Sequence, residues 1–325
     1  MAAISEWVAR VTRRWMKGFI LVGLVVALLV LRCPGKAKAL GYTIAREVAK
    51  YHALVQTLFW PQVKGQYFLV RYHSATESTV ALILETAEEA YKPVIRLLGH
   101  EPPLKVPIIL HPDRASIGKA FGWEADQSAM GVYWAGVIRI LAPTEWAGED
   151  PEEMSRVFKE TGPMVHELAH LVVDYRTGGN YTRWFTEGVA QYAEREIINF
   201  TFPEPAKVAQ KGWYPLEKMG SDFDNLENQS LAYYQSLAMV DYLIDLGGGF
   251  PAVQKVMEQL RHGRTMDEAI EAVTGKTTTE FSEGFAAWWE GNRPAPASSA
   301  ASTGSWLQRG ESISPWSLEP VNTVA

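Results

Sequence analysis

The sequence predicts an α+β fold in which strands come first and helices follow. Three observations carry this. Runs with strand character, 67–72, 105–110 and 131–141, all fall in the first half. From Pro151 onward the apolar residues recur mostly at helical spacing. With 325 residues, 47% hydrophobic and 21% charged, the chain has ample material for a core and little of the character of a disordered protein.

In chain order, residues 1–39 read as a signal peptide or an uncleaved signal anchor. Residues 18–31, GFILVGLVVALLVL, carry no charge over fourteen positions. That is short of the roughly 20 apolar residues a spanning helix needs and suits a signal-peptide core. Arg10, Arg13, Arg14 and Lys17 precede it, as export orientation requires. Arg13-Arg14 also fits a twin-arginine export signal. Ala37-Lys38-Ala39 matches an A-x-A cleavage site, which would start the mature chain at Leu40. The expected location is therefore extracytoplasmic, secreted or held by the N-terminal segment, with membrane contact only through that segment.

Charge and cysteine usage narrow the function classes. The net charge of −6 divides into +6 over residues 1–39 and −12 over the rest. An acidic body gives no support to nucleic-acid binding. The single Cys33 excludes an intramolecular disulfide framework and a Cys-cluster metal site, so any metal must be held by His and carboxylates.

Residues 40–65 read as an amphipathic helix and linker. Ile44, Val48, Tyr51, Val55 and Leu58 stand near helical spacing within 42–60, and Pro61 ends the pattern. This helix is expected to pack on the domain rather than on lipid. Residues 66–292 are expected to form the main domain. Within it, 67–72 is a strand, 80–98 a helix ended by Gly99, and 105–110 a strand whose Pro107 suits an edge or a strand start. Residues 131–141 read as two short strands meeting at Ala135-Gly136, a hairpin. Gly247-Gly248-Gly249 reads as a helix end and turn, since it lacks the strand-before, helix-after context of a phosphate loop. Residues 293–325, containing PAPASSAASTG, read as a mostly disordered tail.

The chemistry resides in His166-Glu167-Leu168-Ala169-His170. Two His at i and i+4 share one helix face, so both imidazoles can reach one zinc ion at about 2.0–2.1 Å. Glu167 can then face the open coordination position and take a proton from activated water. Val165, Leu168, Leu171 and Val172 make this an apolar helix. A third protein ligand is needed, and the best candidate is Glu187 in Arg183-Trp184-Phe185-Thr186-Glu187-Gly188-Val189-Ala190-Gln191-Tyr192. It lies seventeen residues beyond His170, past the turn-rich Thr177-Gly178-Gly179-Asn180, which lets a second helix return alongside the first. Gly188 and Ala190 are small enough for close helix approach. Asp174, one turn after His170, could orient a ligand His or simply stand at a helix end.

The H-E-L-A-H helix followed by W-F-T-E-G-V-A-Q-Y resembles the gluzincin metallopeptidases, most of all the short bacterial peptidase MA-like group. The similarity takes in Gly131-Val132-Tyr133, Ile138-Arg139-Ile140 and Ala232-Tyr233-Tyr234-Gln235-Ser236, and so runs over about 67–289. The resemblance implies a zincin-like fold: a small mixed-sheet lobe, the metal helix, then a mainly helical lobe, with the active-site cleft between. It implies one Zn2+ per chain on His166, His170 and Glu187, with Glu167 as general base. Tyr233, or next to it Tyr234, would assist the oxyanion. The strand at Gly131 and Tyr133 would form the cleft rim and pair with an extended peptide. The acidic G-x-M-E-N element that holds a free amino terminus in related aminopeptidases is absent from Ser128-Ala129-Met130-Gly131-Val132-Tyr133, which favours an endopeptidase.

The expectation is thus an exported zinc metallopeptidase acting on peptides or proteins. The competing reading is a catalytically idle zincin-like binding or scaffold protein on the cell surface, against which the intact Glu167 speaks. A carbohydrate-binding wall protein rests only on twelve Trp, several of which (Trp184, Trp288, Trp289) sit in apolar helical patterns.

Overall fold

The computed structural model describes residues 34–123, 129–148, 150–202, 204–205 and 212–292. The apolar run 18–31, the Arg13-Arg14 pair, Cys33, Ser128 and the tail 293–325 lie outside the described residues. Among the described residues no helix is long and apolar enough to cross a membrane.

The chain starts with helix α1, Pro34–Gln56, and then forms β1, Gln62–Lys64, and β2, Phe68–Tyr72. Helix α2, Glu77–Leu98, leads to β3, Val106–His111, and α3, Arg114–Phe121. The hairpin β4, Gly131–Trp134, and β5, Val137–Leu141, completes one five-stranded sheet of order β1-β2-β3-β5-β4. The inner pairs β2/β3 and β3/β5 are parallel, and the outer pairs β1/β2 and β4/β5 antiparallel. The remainder is helical: α4, Pro151–Thr161; α5, Met164–Thr177; α6, Arg183–Ile198; α7, Leu216–Ser221; α8, Gln229–Leu246; α9, Pro251–Arg261; α10, Met266–Thr274; and α11, Thr278–Asn292. The architecture is α+β, with a small mixed sheet followed by a mainly helical part.

Local chemistry accounts for these elements. Thr76 caps α2 by accepting from the Thr79 N–H, and Gly99 closes it in the left-handed region at φ 69°. The β4–β5 turn has both central residues at positive φ, Ala135 at 48° and Gly136 at 81°. This is the twist a two-residue hairpin favours. Strand alternation divides the sheet. Phe68, Val70, Ile108, Leu110, Ile138 and Ile140 face the main core shared with the helices. Ile109 and Val137 face the other way, against Ala53 and Trp60.

Three expectations change. Pro107 sits in β3, which is central rather than at an edge. The strand-start alternative explains it: the Val106 N–H bonds Tyr67 O on the β2 side at 2.9 Å, so position 107 faces β5, where pairing begins only at Ile108. Its missing N–H therefore costs no ladder bond. The strand β1 was not anticipated in the linker. Finally, α1 begins at Pro34 and stops at Gln56, and it packs through the face opposite to the one its periodicity marked. Arg46, Ala53 and Thr57 are buried, while Ile44, Val48, Tyr51, Val55 and Leu58 are exposed. Arg46 reaches Asp174 at 3.4 Å and its guanidinium stacks 3.9 Å over the Tyr175 ring, and Lys50 donates to the Tyr175 hydroxyl at 3.1 Å. Buried partners, rather than hydrophobicity, decide which side faces in.

Candidate metal centre

Helix α5 is buried on all sides, with Val165, Leu168, Leu171 and Val172 in the core and His166, Glu167, His170 and Asp174 buried among them. A helix apolar on every side belongs inside a domain, and its polar residues must then find partners. Gly178, at φ 68°, ends it and its N–H bonds Asp174 O. Helix α6 then returns and presents Glu187. Its Gly188 is required by α8: a Cβ there would collide with the Ser236 carbonyl. Gln191 ties the same two helices by donating to Tyr233 O at 2.9 Å and Glu187 O at 3.2 Å.

One ligand atom from each of His166, His170 and Glu187 lies within 4.8 Å of the other two. His166 Nε2 is 3.3 Å from one Glu187 oxygen and His170 Nε2 is 3.5 Å from the other. Tetrahedral ligands at 2.0–2.1 Å from zinc stand about 3.3–3.4 Å apart, close to the separation of each imidazole from its nearer Glu187 oxygen. The far ring nitrogens are held. His166 Nδ1 meets Glu194 at 2.9 Å and His170 Nδ1 meets Thr186 Oγ1 at 2.7 Å. Held in this way, each ring turns Nε2 toward Glu187, and the His170 Nε2 is buried with no hydrogen bond. The donor set, two imidazoles and one carboxylate on buried helices, fits zinc.

The electrostatics follow from burial and pairing. Burial opposes charge on His166, but Glu194 and Glu187 outweigh it and raise this imidazole to about 10. Burial drives His170 down to about 3. Glu187 is pushed up by burial, yet Arg183 and His170 with His166 hold it down at about 2. Arg183 makes the closest ion pair, 2.7 Å to Glu187, and its Nε also meets Asp224 at 3.3 Å. Burial pushes Glu167 up to about 8, with His166 pulling the other way.

The β4 edge borders Glu167. A Cβ on Gly131 would meet Glu167 Cγ at 3.0 Å, so glycine permits this approach, and the Tyr133 N–H donates to the Glu167 carboxylate. Leu141 N bonds Met130 O across the hairpin, so Gly131 and Tyr133 turn their backbone groups away from β5.

The remaining predicted residues separate. Tyr233 is buried near the centre, within electrostatic reach of Glu187, Arg183, Asp224 and Glu167. Tyr234 instead packs its ring against Trp213 and Trp289. Asp174 orients neither ligand His: its carboxylate receives the Tyr133 hydroxyl and Arg46, so it joins β4 and α1 to α5. The Tyr133 side chain is therefore a structural tie, and its backbone is the part that faces Glu167.

Glu194, Thr186, Arg183 and Asp224 were not foreseen in these roles. Glu194 carried a signal, since it stands seven residues after Glu187 and so two turns along the same face of α6. Thr186 and Arg183 were in the quoted motif, but their partners come from tertiary packing.

Residues 146–291 match the family model of the Peptidase MA superfamily. The match covers α5, α6 and the rest of the helical part but begins after the sheet, so it is shorter than the expected 67–289. No curated protein matches the chain.

Proposed function

We propose that this chain, whose residues 146–291 match the peptidase MA superfamily, is an exported zinc-dependent metallopeptidase, and an endopeptidase rather than an aminopeptidase. The observation that carries the reading is the convergence of His166, His170 and Glu187 on one point, with the Glu167 carboxylate on the same helix beside it. Zinc held by His166, His170 and Glu187 would supply an acidic water and an electrophile for the scissile carbonyl.

The protein supplies the rest. Glu167, raised by burial into the range of a general base, would take a proton from the attacking water and deliver it to the leaving amine. Tyr233, kept protonated by burial, donates a hydrogen bond to the oxygen that gains charge. Gly131, on the sheet-edge strand β4 beside Glu167, offers a backbone group to an extended peptide. Export is supported by the basic and apolar character of residues 1–39. Endopeptidase action is supported by the absence of the acidic amino-terminus-binding element from residues 128–133.

The test is a zinc assay with a peptide-library cleavage screen. The wild type is expected to carry about one zinc per chain. Glu167→Gln is expected to keep the zinc and lose cleavage by about 10²–10⁴-fold. Correctly folded protein that takes up no zinc, or undiminished cleavage by Glu167→Gln, overturns the reading.

A further inference from the structure

The outward face of α1 is unlike the rest of the surface. Among the described residues, the exposed large hydrophobic side chains are concentrated on this one helix and the turn after it: Leu40, Ile44, Val48, Tyr51 and Val55, followed by Leu58 and Phe59. Val63 and Leu104 are the two outside it. The five on the helix recur every three or four residues. At 3.6 residues per turn they fall within an arc of about 80°. Tyr51 is 70% exposed, Val48 64% and Phe59 94%. The inner face, with Arg46, Ala53 and Thr57, lies on the opposite side and is fastened to Asp174, Tyr175 and the back of the sheet. The stripe is therefore not a poorly packed core. A contiguous apolar patch of this kind on a folded surface marks a contact with something else.

We propose that this stripe is a membrane-contact surface, seated at the lipid headgroup–acyl boundary of the bilayer that takes up residues 18–31. The sequence places that uncharged run three positions before α1, ending at Leu31, with Arg32, Lys36 and Lys38 grouped between the run and Leu40. Apolar run, basic cluster and apolar stripe thus follow in one continuous length of chain. Basic residues at this junction suit anionic headgroups, and an amphipathic helix lying in the interface plane buries such a stripe by a few ångströms. Tyr51 is a side chain that settles at the interface, and Phe59 suits the buried apolar face of an interfacial helix.

Two other occupants fit less well. Residues 18–31 folded back onto α1 would bury one face of a segment that is apolar all round and leave its other faces in water. A second copy would cover the stripe but leave 18–31 unaccounted for. Lipid covers both. The fastening of α1 through Arg46 to Asp174 on the metal helix means that the body would sit at a fixed orientation to the bilayer. This inference is independent of the peptidase reading.

The test uses the full chain. Cys33 is the only cysteine, so Cys33→Ser gives a clean background. Into it go Val48→Cys, Val55→Cys or, as control, Lys92→Cys on the exposed side of α2, each labelled with the fluorophore NBD. Labelled protein is reconstituted into phosphatidylcholine–phosphatidylglycerol vesicles containing lipid doxyl-labelled near the headgroup. The expected result is several-fold stronger doxyl quenching at positions 48 and 55 than at 92. Probes at 48 and 55 that stay as water-exposed as the one at 92 in vesicle-bound protein overturn the proposal. So does a position-48 probe already shielded from aqueous iodide without lipid, which assigns the face to a second copy or to residues 18–31.

Discussion

Helices α1 and α5 are opposites. Helix α5 buries two imidazoles and two carboxylates, and α1 leaves a row of aliphatic side chains in the open. Both arrangements contradict a simple rule of apolar inside and polar outside, and both have the same cause. Burial of a charged group costs several kcal/mol unless it is paired, and pairing is what the structure provides. His166 has Glu194, His170 has Thr186, Glu187 has Arg183, and Asp174 has Arg46 and Tyr133. Arg46 and Lys50 are drawn inward by Asp174 and Tyr175, and this turns the aliphatic face of α1 out. Polar partners set the orientation of both helices, and the hydrophobic pattern only says that a face exists.

That contrast can be sharpened by experiment. The largest effect is expected at the centre itself. Tyr233→Phe should lower kcat by about 10²–10³-fold with little change in KM, the signature of a donor that acts on the transition state. Steady-state kinetics on a peptide substrate decide this, and an unchanged kcat would reduce Tyr233 to a packed aromatic beside Phe223.

A smaller effect is expected one bond further out. Glu194→Gln should weaken zinc binding about 10–100-fold. It should also alter the pH dependence. His166 is held at about 10 in the metal-free protein, so at neutral pH it is protonated and zinc must displace that proton. Affinity therefore rises with pH through the neutral range and falls as pH drops. Without Glu194 the His166 pKa moves down, although Glu187 still holds it up, so zinc displaces less proton at neutral pH and the slope flattens. Calorimetry in buffers of different ionisation enthalpy reads the proton count directly.

The smallest effect is expected on the outer face of α1. Ile44→Ser with Val48→Ser should change thermal stability by no more than about 0.5 kcal/mol per site, because neither side chain is buried in the fold. Ala53→Asp, on the inner face among Ile109 and Val137, should cost several kcal/mol through an unpaired buried charge. Melting curves of the two variants separate the faces. Equal losses would mean that the exposed side chains are packed after all.

Much of this was legible from residues alone. The i, i+4 pair His166/His170 and the helical return to Glu187 follow from short-range spacing, which a chain cannot help expressing once the helix forms. The strands 67–72, 105–110 and 131–141, the Ala135-Gly136 turn and the Gly99 stop follow from local patterns too. The position of Pro107 in a central strand was half legible, since only the register of β5 shows that its missing N–H falls where no bond is made. For Asp174 the sequence left two roles open, orienting a ligand His or standing at a helix end, and its partners turn out to be neither His166 nor His170. The groups that reach it come from residues 46 and 133, far away in the chain.

From the sequence alone came most of the helices and strands, and the expectation that His166, His170 and Glu187 converge with Glu167 beside them, because each depends on backbone periodicity over a few residues. Tertiary structure alone decided which nitrogen of each His is held, which side of α1 faces the domain, and which of two adjacent tyrosines turns to the centre. Those choices depend on pairing between groups separated by 16 to 128 residues. The free energy of burying a charge is settled only when its partner has arrived.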